Sequence, residues 1–292
     1  MELKGAITAL VTPFSDGVLD EERFREHIEW QIEQGVDGLL PCGTTGESAT
    51  LSHQEHKDVI RICIDQTKGR VPVLAGAGSN STREAIELTA FAKEAGADAA
   101  LLITPYYNKP TQAGLLAHYQ AIARDVSLPQ VVYNVPGRTG VNLLPETLAE
   151  RKRDIPEVVG VKEASGNINQ ISQIIDACGL DFNVLAGEDY ITLPLLGLGG
   201  KGVISVVSNV APKLMSGLCE AYHSRQVDRA IELHYQLVPL YRAMFLETNP
   251  IPVKSALALM GRMDLELRLP LVPLQPNNDA ELRQVLAECG LT

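Results

Sequence analysis

The sequence has no C-x-x-C pair among its five cysteines. They are odd in number and widely spaced, at Cys42, Cys63, Cys178, Cys219 and Cys289. This spacing argues against a disulfide framework and against a zinc ribbon, because both are built from paired cysteines. We therefore expect reduced thiols, as in a cytoplasmic protein.

Long apolar runs and an excess of positive charge are also missing. No apolar run reaches the roughly 18 residues that a transmembrane helix needs. Residues 1–14 have no convincing signal-cleavage site, so we expect a first strand there. The net charge is −11, from 25 lysines and arginines against 36 aspartates and glutamates. An acidic surface disfavours binding to nucleic acid or to an anionic membrane, although a local basic pocket could hold a small anion.

No solenoid repeat or low-complexity tract is present. The chain has 292 residues, of which 45% are hydrophobic and 21% charged, and this is the composition of a soluble globular protein with one large core. A chain of this length could form two domains, but α/β barrels of roughly 250 residues are single domains.

Short apolar, β-rich runs alternate eight times with amphipathic helical stretches. Such alternation is typical of a parallel sheet. Eight units favour a closed (β/α)8 TIM barrel, with an open doubly wound sheet as the alternative. The predicted strands are 6–11, 38–41, 71–75, 99–104, 130–135, 158–162, 182–186 and 202–206.

The pattern changes after about residue 209, where helical segments follow one another without strands. We predict a catalytic barrel over residues 1–224 and a C-terminal helical region over 225–292. Two S-x-x-E sequences, beginning at Ser52 and Ser81, predict capping boxes at helix starts. The predicted C-terminal helices are 212–224, 227–247, 251–261 and 278–289.

In a barrel of this kind the chemistry lies at the carboxyl ends of the strands. Lys162 closes the apolar run 158–161, at such an end. An amine in an apolar barrel mouth loses hydration, so its pKa falls and its neutral form can attack a ketone to form a Schiff base. The alternative interpretation is a solvated lysine, or one paired with Glu163.

Hydroxyl groups and an arginine follow other predicted strands. Tyr133 ends the fifth strand, and its phenol could carry protons to an imine. Thr44 and Tyr107 supply further hydroxyls. The loop 43–48 offers backbone N–H groups for a carboxylate or a phosphate. Arg138 could bind a substrate carboxylate with both arms of its guanidinium. Each of these features has an alternative interpretation. The tyrosines could be aromatic packing at the barrel rim, the loop 43–48 could be only a tight turn, and Arg138 could be an ordinary surface arginine.

Other motifs are incomplete. Gly200-Lys201 lacks the first glycine and the Ser/Thr of a P-loop, and the run 76–81 has serine where the dinucleotide fingerprint needs its third glycine. His53 and His56 are three apart and could share a metal ion, but no third ligand lies nearby in the sequence. We therefore expect no cofactor and no metal.

Five separated segments have the sequence patterns of a known family: 43–50 (GTTGESAT), 104–110 (TPYYNKP), 133–140 (YNVPGRTG), 160–164 (GVKEA) and 249–254 (NPIPVK). In this order they resemble the pyruvate-dependent class I aldolases of the N-acetylneuraminate lyase superfamily, and within it the dihydrodipicolinate synthase family. The resemblance favours Lys162 as a nucleophile over Lys162 as a solvated residue.

The resemblance implies a reaction. Pyruvate would form an imine with Lys162, and its carboxylate would rest on the Thr44–Thr45 loop. Tyr133 would relay protons with Thr44 and with Tyr107, which in that family comes from a neighbouring subunit. The resulting enamine would attack the aldehyde of L-aspartate 4-semialdehyde, in the diaminopimelate route to lysine.

The resemblance also assigns the second substrate's contacts. Arg138 would hold the carboxylate of the semialdehyde, and backbone near Gly187 and Ile204 would line the pocket. N-acetylneuraminate and keto-deoxy sugar acid lyases of the superfamily are the nearest alternative, although they generally lack this arginine. A non-catalytic lysine sensor and a metal-dependent aldolase are two further alternatives.

Regulation and assembly are implied in the same way. L-Lysine would inhibit by feedback, which explains His53 and His56 better than a metal does. The family is usually a homotetramer of two tight dimers, and dimers without tetramers also occur. The residues that match the family's lysine site are Ser48, Ala49, His53, His56, Asn80, Glu84 and Tyr106.

Overall fold

Eight parallel strands form one sheet in the computed structural model, which describes residues 1–292. Their order in the sheet is β2-β1-β8-β7-β6-β5-β4-β3. From β3 to β8 each strand pairs with the next one in the chain, β1 lies between β2 and β8, and β2 and β3 are the two ends of the sheet. This order confirms the predicted (β/α)8 barrel. The alternative of an open doubly wound sheet is wrong, because its strand order reverses at a switch point. The strands are β1 (Gly5–Ala9), β2 (Gly38–Leu40), β3 (Leu74–Gly76), β4 (Ala99–Ile103), β5 (Gln130–Asn134), β6 (Val158–Glu163), β7 (Asn183–Ala186) and β8 (Gly202–Ser205).

The barrel strands are buried on both faces. Every residue of β1, β2, β3, β5, β7 and β8 is buried. Parallel strands covered on both faces give continuous apolar runs instead of an alternation of apolar and polar residues. This burial is the physical reason that short apolar runs predicted the strands.

Twelve helices complete the fold, and none has the length and apolar character to cross a bilayer. The four C-terminal helices lie where they were predicted, to within a few residues at their ends. The helices beside the strands are α1 (Glu21–Glu33), α2 (His53–Thr67), α3 (Thr82–Ala95), α4 (Gln112–Asp125), α5 (Pro136–Thr139), α6 (Pro145–Asp154), α7 (Ile168–Cys178) and α8 (Thr192–Gly197). Those after β8 are α9 (Pro212–His223), α10 (Val227–Ala243), α11 (Ile251–Leu259) and α12 (Pro276–Glu288).

By internal contacts the chain divides into two units. Unit 1 consists of residues 1–5 and 72–204, and it holds β3–β7 with helices α3–α8. Unit 2 consists of residues 6–71 and 205–292, and it holds β2, α1, α2 and α9–α12. The predicted boundary after residue 224 lies between α9 and α10 and stays a prediction.

A two-stranded antiparallel hairpin follows β1. Phe14–Ser15 pairs with Val18–Leu19 through a turn in which Asp16 and Gly17 have φ angles of 52° and 80°. An Asp-Gly pair is suited to such a turn because both residues tolerate the left-handed region. The hairpin was not predicted, since its strands of two residues are too short to show a pattern.

One of the two predicted capping boxes is present. The Ser52 hydroxyl accepts from the Glu55 N–H at 3.2 Å, and the Glu55 carboxylate accepts from the Ser52 N–H at 2.8 Å. The capping box at Ser81 is wrong, because the Ser81 side chain makes no cap hydrogen bond. The Ser79 hydroxyl donates to Glu84 instead, and its oxygen accepts from the Ser81 N–H.

We expect the two serines to differ in their effect on stability. Ser52→Ala removes a bonded cap and lowers the free energy of unfolding by about 1 kcal/mol. Ser81→Ala is the matched control and changes it by less than about 0.5 kcal/mol, because the hydroxyl caps nothing. Urea unfolding of both variants measures the difference, and equal losses would contradict this assignment.

Candidate active site

Lys162 lies near the end of β6, in unit 1, and only 5% of it is exposed. Its strand register pairs it with Tyr133 of β5. The Lys162 Nζ lies 4.4 Å from the centroid of the Tyr133 ring. The amine is therefore enclosed next to an aromatic face, and the alternative of a solvated lysine is wrong.

The pKa of Lys162 is lowered to about 7. Burial is the main cause, because the charged amine loses its hydration. The Asp189 carboxylate opposes this shift, and the Arg138 guanidinium adds to it. A substantial fraction of the amine is thus neutral and nucleophilic near neutral pH.

The Glu163 carboxylate is bonded elsewhere and does not pair with Lys162. It accepts from the Ser165 N–H at 2.8 Å and from the side-chain amides of Asn134 at 3.0 Å and Gln170 at 3.4 Å. Successive side chains of a strand point to opposite faces, so Glu163 faces away from the amine. The alternative of a Lys162–Glu163 ion pair is therefore wrong.

Asp189 is a site residue that sequence reasoning missed. It is buried and begins a short 3-10 helix, Asp189–Ile191, after β7. Its carboxylate acts electrostatically on Lys162. The available signal was its place just beyond the carboxyl end of β7, but a sequence does not show which of the neighbouring acids turns inward.

Arg138, Gly187 and Ile204 also lie in unit 1. Arg138 is exposed on the single turn of α5. The Gly187 N–H donates to the Glu163 carbonyl at 2.7 Å, and a Cβ at Gly187 would lie 2.5 Å from that of Ala164. Only glycine fits this close approach. Ile204 is fully buried in β8.

The loop 43–48 lies in unit 2, after β2. Thr44 is partly exposed and Thr45 is buried. The N–H groups of Gly46 and Glu47 are bonded within the loop, to the carbonyls of Gly43 and Thr44. The N–H groups of Thr44 and Thr45 donate to no group of the chain. Two adjacent free donors are suited to an anion such as a carboxylate.

Tyr107 is 90% exposed and has a φ of 68°. Its phenol therefore lies in solvent, in contrast to the enclosed amine of Lys162. In a single chain, Tyr107 is not part of a closed site.

The residues predicted to bind lysine are divided between the two units. In unit 1, the Asn80 amide donates to the Tyr106 carbonyl at 3.2 Å, and Glu84 accepts from Ser79. In unit 2, Ser48 and Ala49 belong to a 3-10 turn, while α2 holds the exposed His53 and the buried His56. No group of three or more His, Cys, Asp or Glu side chains is placed to hold a metal ion.

Comparison with known proteins gives full-length matches. The model of the dihydrodipicolinate synthetase family matches residues 2–289. A 4-hydroxy-tetrahydrodipicolinate synthase from Nitratidesulfovibrio vulgaris strain DP4 is 68% identical and is covered, like this chain, to 100%. The structure of a chloride-inhibited dihydrodipicolinate synthase from Acinetobacter baumannii complexed with pyruvate is 46% identical, with a TM-score of 0.97 and 100% of both chains covered. That of the Cyanidioschyzon merolae protein with lysine bound is 41% identical, with a TM-score of 0.96 and 99% of both covered.

We expect the rate of Lys162 acetylation by a small reagent to rise with pH, with a midpoint near 7. Asp189→Asn removes the carboxylate that raises the pKa of Lys162, so this midpoint moves to lower pH. Peptide mass spectrometry after competitive labelling measures both, with exposed lysines of the same chain as reference. A wild-type midpoint near 10, as in an unperturbed lysine, would contradict the assignment.

Proposed function

The chain belongs to the dihydrodipicolinate synthetase family, and on this premise we propose that it is a 4-hydroxy-tetrahydrodipicolinate synthase. This lyase would condense pyruvate with L-aspartate 4-semialdehyde in the diaminopimelate route to lysine. The observation that carries the proposal is the buried Lys162 amine, with its lowered pKa, beside the Tyr133 ring.

Lys162 is the nucleophile of this proposal. Its neutral amine attacks the ketone of pyruvate, water leaves and an imine forms. Loss of a methyl proton gives the enamine, whose carbon attacks the aldehyde of the semialdehyde. The amine of that substrate then attacks the imine carbon, which closes the ring and releases Lys162.

Proton transfer is assigned to the hydroxyl groups. Tyr133 is supported by its place against the Lys162 amine, and Thr44 is its proposed relay partner. Tyr107 completes the relay from a neighbouring subunit, which agrees with the exposure of its phenol in the single chain. We therefore propose a homo-oligomer, a tetramer of two tight dimers, located in the cytoplasm.

Two carboxylates need binding groups. The free N–H groups of Thr44 and Thr45 are proposed for the carboxylate of pyruvate. Arg138, exposed and electrostatically coupled to Lys162, is proposed for that of the semialdehyde. Backbone at Gly187 and the side chain of Ile204 would line the pocket.

L-Lysine is the proposed feedback inhibitor. A relative of the same family and fold has been solved with lysine bound. The proposed binding residues in this chain are Ser48, Ala49, His53, His56, Asn80, Glu84 and Tyr106. The organisation into a catalytic barrel over 1–224 and a helical region over 225–292 completes the proposal.

Borohydride reduction in the presence of pyruvate tests the function directly. We expect a stable pyruvate adduct on Lys162, located by peptide mass, because reduction traps the imine. Lys162→Met is the control and forms no adduct. Absence of an adduct on folded wild-type protein would refute the Schiff-base mechanism and the proposed function with it.

Arg138→Ala separates this synthase from the other pyruvate aldolases of its superfamily. We expect kcat/KM for the semialdehyde to fall roughly 100-fold, since a charge-assisted bidentate contact is lost, while the pyruvate adduct still forms. The exposed Arg124 bonds only to its neighbour Asp125, so Arg124→Ala is the matched control and leaves turnover unchanged. Full semialdehyde turnover by Arg138→Ala would rule out the assigned contact.

A further inference from the structure

A completely buried ion pair joins α11 to the loop 43–48 in unit 2. The Lys254 Nζ lies 2.6 Å from the Glu47 Oε1, and the two side chains are 0% and 1% exposed. The partners are far apart in the chain, and α11 lies in the C-terminal helical region. The pair therefore ties this region to the loop that is proposed to receive the pyruvate carboxylate.

Both oxygens of the Glu47 carboxylate are occupied. The Oε2 atom accepts from the Arg268 N–H at 3.1 Å, so the carboxylate is held from two directions. The Lys254 Nζ lies 4.4 Å from the centroid of the Phe14 ring, which shields the amine from water. A buried ion pair adds little net stability compared with apolar packing, but it fixes the position of its groups when they are fully bonded.

A second contact reaches the loop from the same region. The Asn249 amide donates to the Thr45 hydroxyl at 3.0 Å, and both side chains are buried. Within the loop, the Glu47 N–H donates to the Thr44 carbonyl at 3.2 Å. Glu47 itself is in the left-handed region, with a φ of 52°. The peptide units of Thr44 and Thr45 are thus held by contacts on either side, while their N–H groups stay free.

We infer that Glu47 and Lys254, together with Asn249, are positioning residues that orient the Thr44 and Thr45 N–H groups toward the pyruvate carboxylate. The inference rests on the proposed function. Backbone donors bind an anion well only when they are held in place before it arrives, and displacements of about 1 Å are costly. The C-terminal helical region therefore sets the affinity for the first substrate.

The test measures the pyruvate concentration that gives half-maximal borohydride trapping of Lys162. We expect Lys254→Met and Glu47→Gln each to raise it by about tenfold or more, because the loop loses its anchor. Glu47→Gln keeps the size of the side chain, but its amide has one acceptor oxygen for the two donors of Lys254 and Arg268. Maximal trapping and the pH midpoint of Lys162 labelling stay as in the wild type.

Leu257→Ala is the matched control on the same helix. Leu257 is fully buried, so its truncation also lowers the thermal stability of the protein. Its side chain is apolar and makes no hydrogen bond to the loop 43–48. We expect its half-saturating pyruvate concentration to equal that of the wild type. An unchanged concentration in both pair variants, or an equal rise in Leu257→Ala, would overturn the inference.

The design separates the possible failures. If Lys254→Met does not fold, the isosteric Glu47→Gln decides alone. If Lys254→Met folds, the double variant Glu47→Gln/Lys254→Met tests whether the two residues act together. We then expect its half-saturating pyruvate concentration to equal that of Lys254→Met alone. Additive increases from the two substitutions would show that Glu47 and Lys254 act independently. Absence of the pyruvate adduct in the wild type refutes the proposed function, whereas a wild-type adduct with unaltered variants refutes only the positioning role.

Discussion

The burial of a primary amine at the end of a barrel strand is the constraint on which the site depends. Removing the Lys162 amine from water lowers its pKa to about 7 and makes it a nucleophile near neutral pH. Its surroundings adjust this effect without cancelling it. Asp189 acts through its charge, the Tyr133 ring lies against the amine, and Glu163 is bonded to amides on the other face.

Lys254 is a second buried lysine, but unlike Lys162 it is paired with a carboxylate. Burial lowers the pKa of Lys254, and the Glu47 carboxylate in direct contact acts to raise it. The Lys254 charge is paired at 2.6 Å with a carboxylate that also accepts from the Arg268 N–H, and so it serves as an anchor. Lys162 has no such ion pair. A carboxylate bonded directly to the amine therefore distinguishes Lys254, the anchor, from Lys162, the proposed nucleophile. The two lysines lie in different units of the chain.

The pattern of the sequence predicted the order and type of the barrel elements, because burial on both faces leaves apolar strands between amphipathic helices. The pattern mispredicted one helix cap and missed one hairpin. Ser81 and Glu84 match the capping-box sequence as well as Ser52 and Glu55 do. In the structure, however, the Ser79 hydroxyl donates a hydrogen bond to the Glu84 carboxylate. The hairpin at Asp16-Gly17 was missed because two-residue strands carry no periodicity.

The sequence by itself determined the (β/α)8 arrangement, the residue types at the strand ends and the family, since all three are recorded in short, contiguous segments. Only the tertiary structure decided that Lys162 is enclosed, that Asp189 acts on it and that Glu47 meets Lys254 across 207 positions of the chain. The physical reason is that a pKa and an ion pair depend on distance and solvent exclusion. Both are set when separate segments pack together, and neither is encoded at any single position.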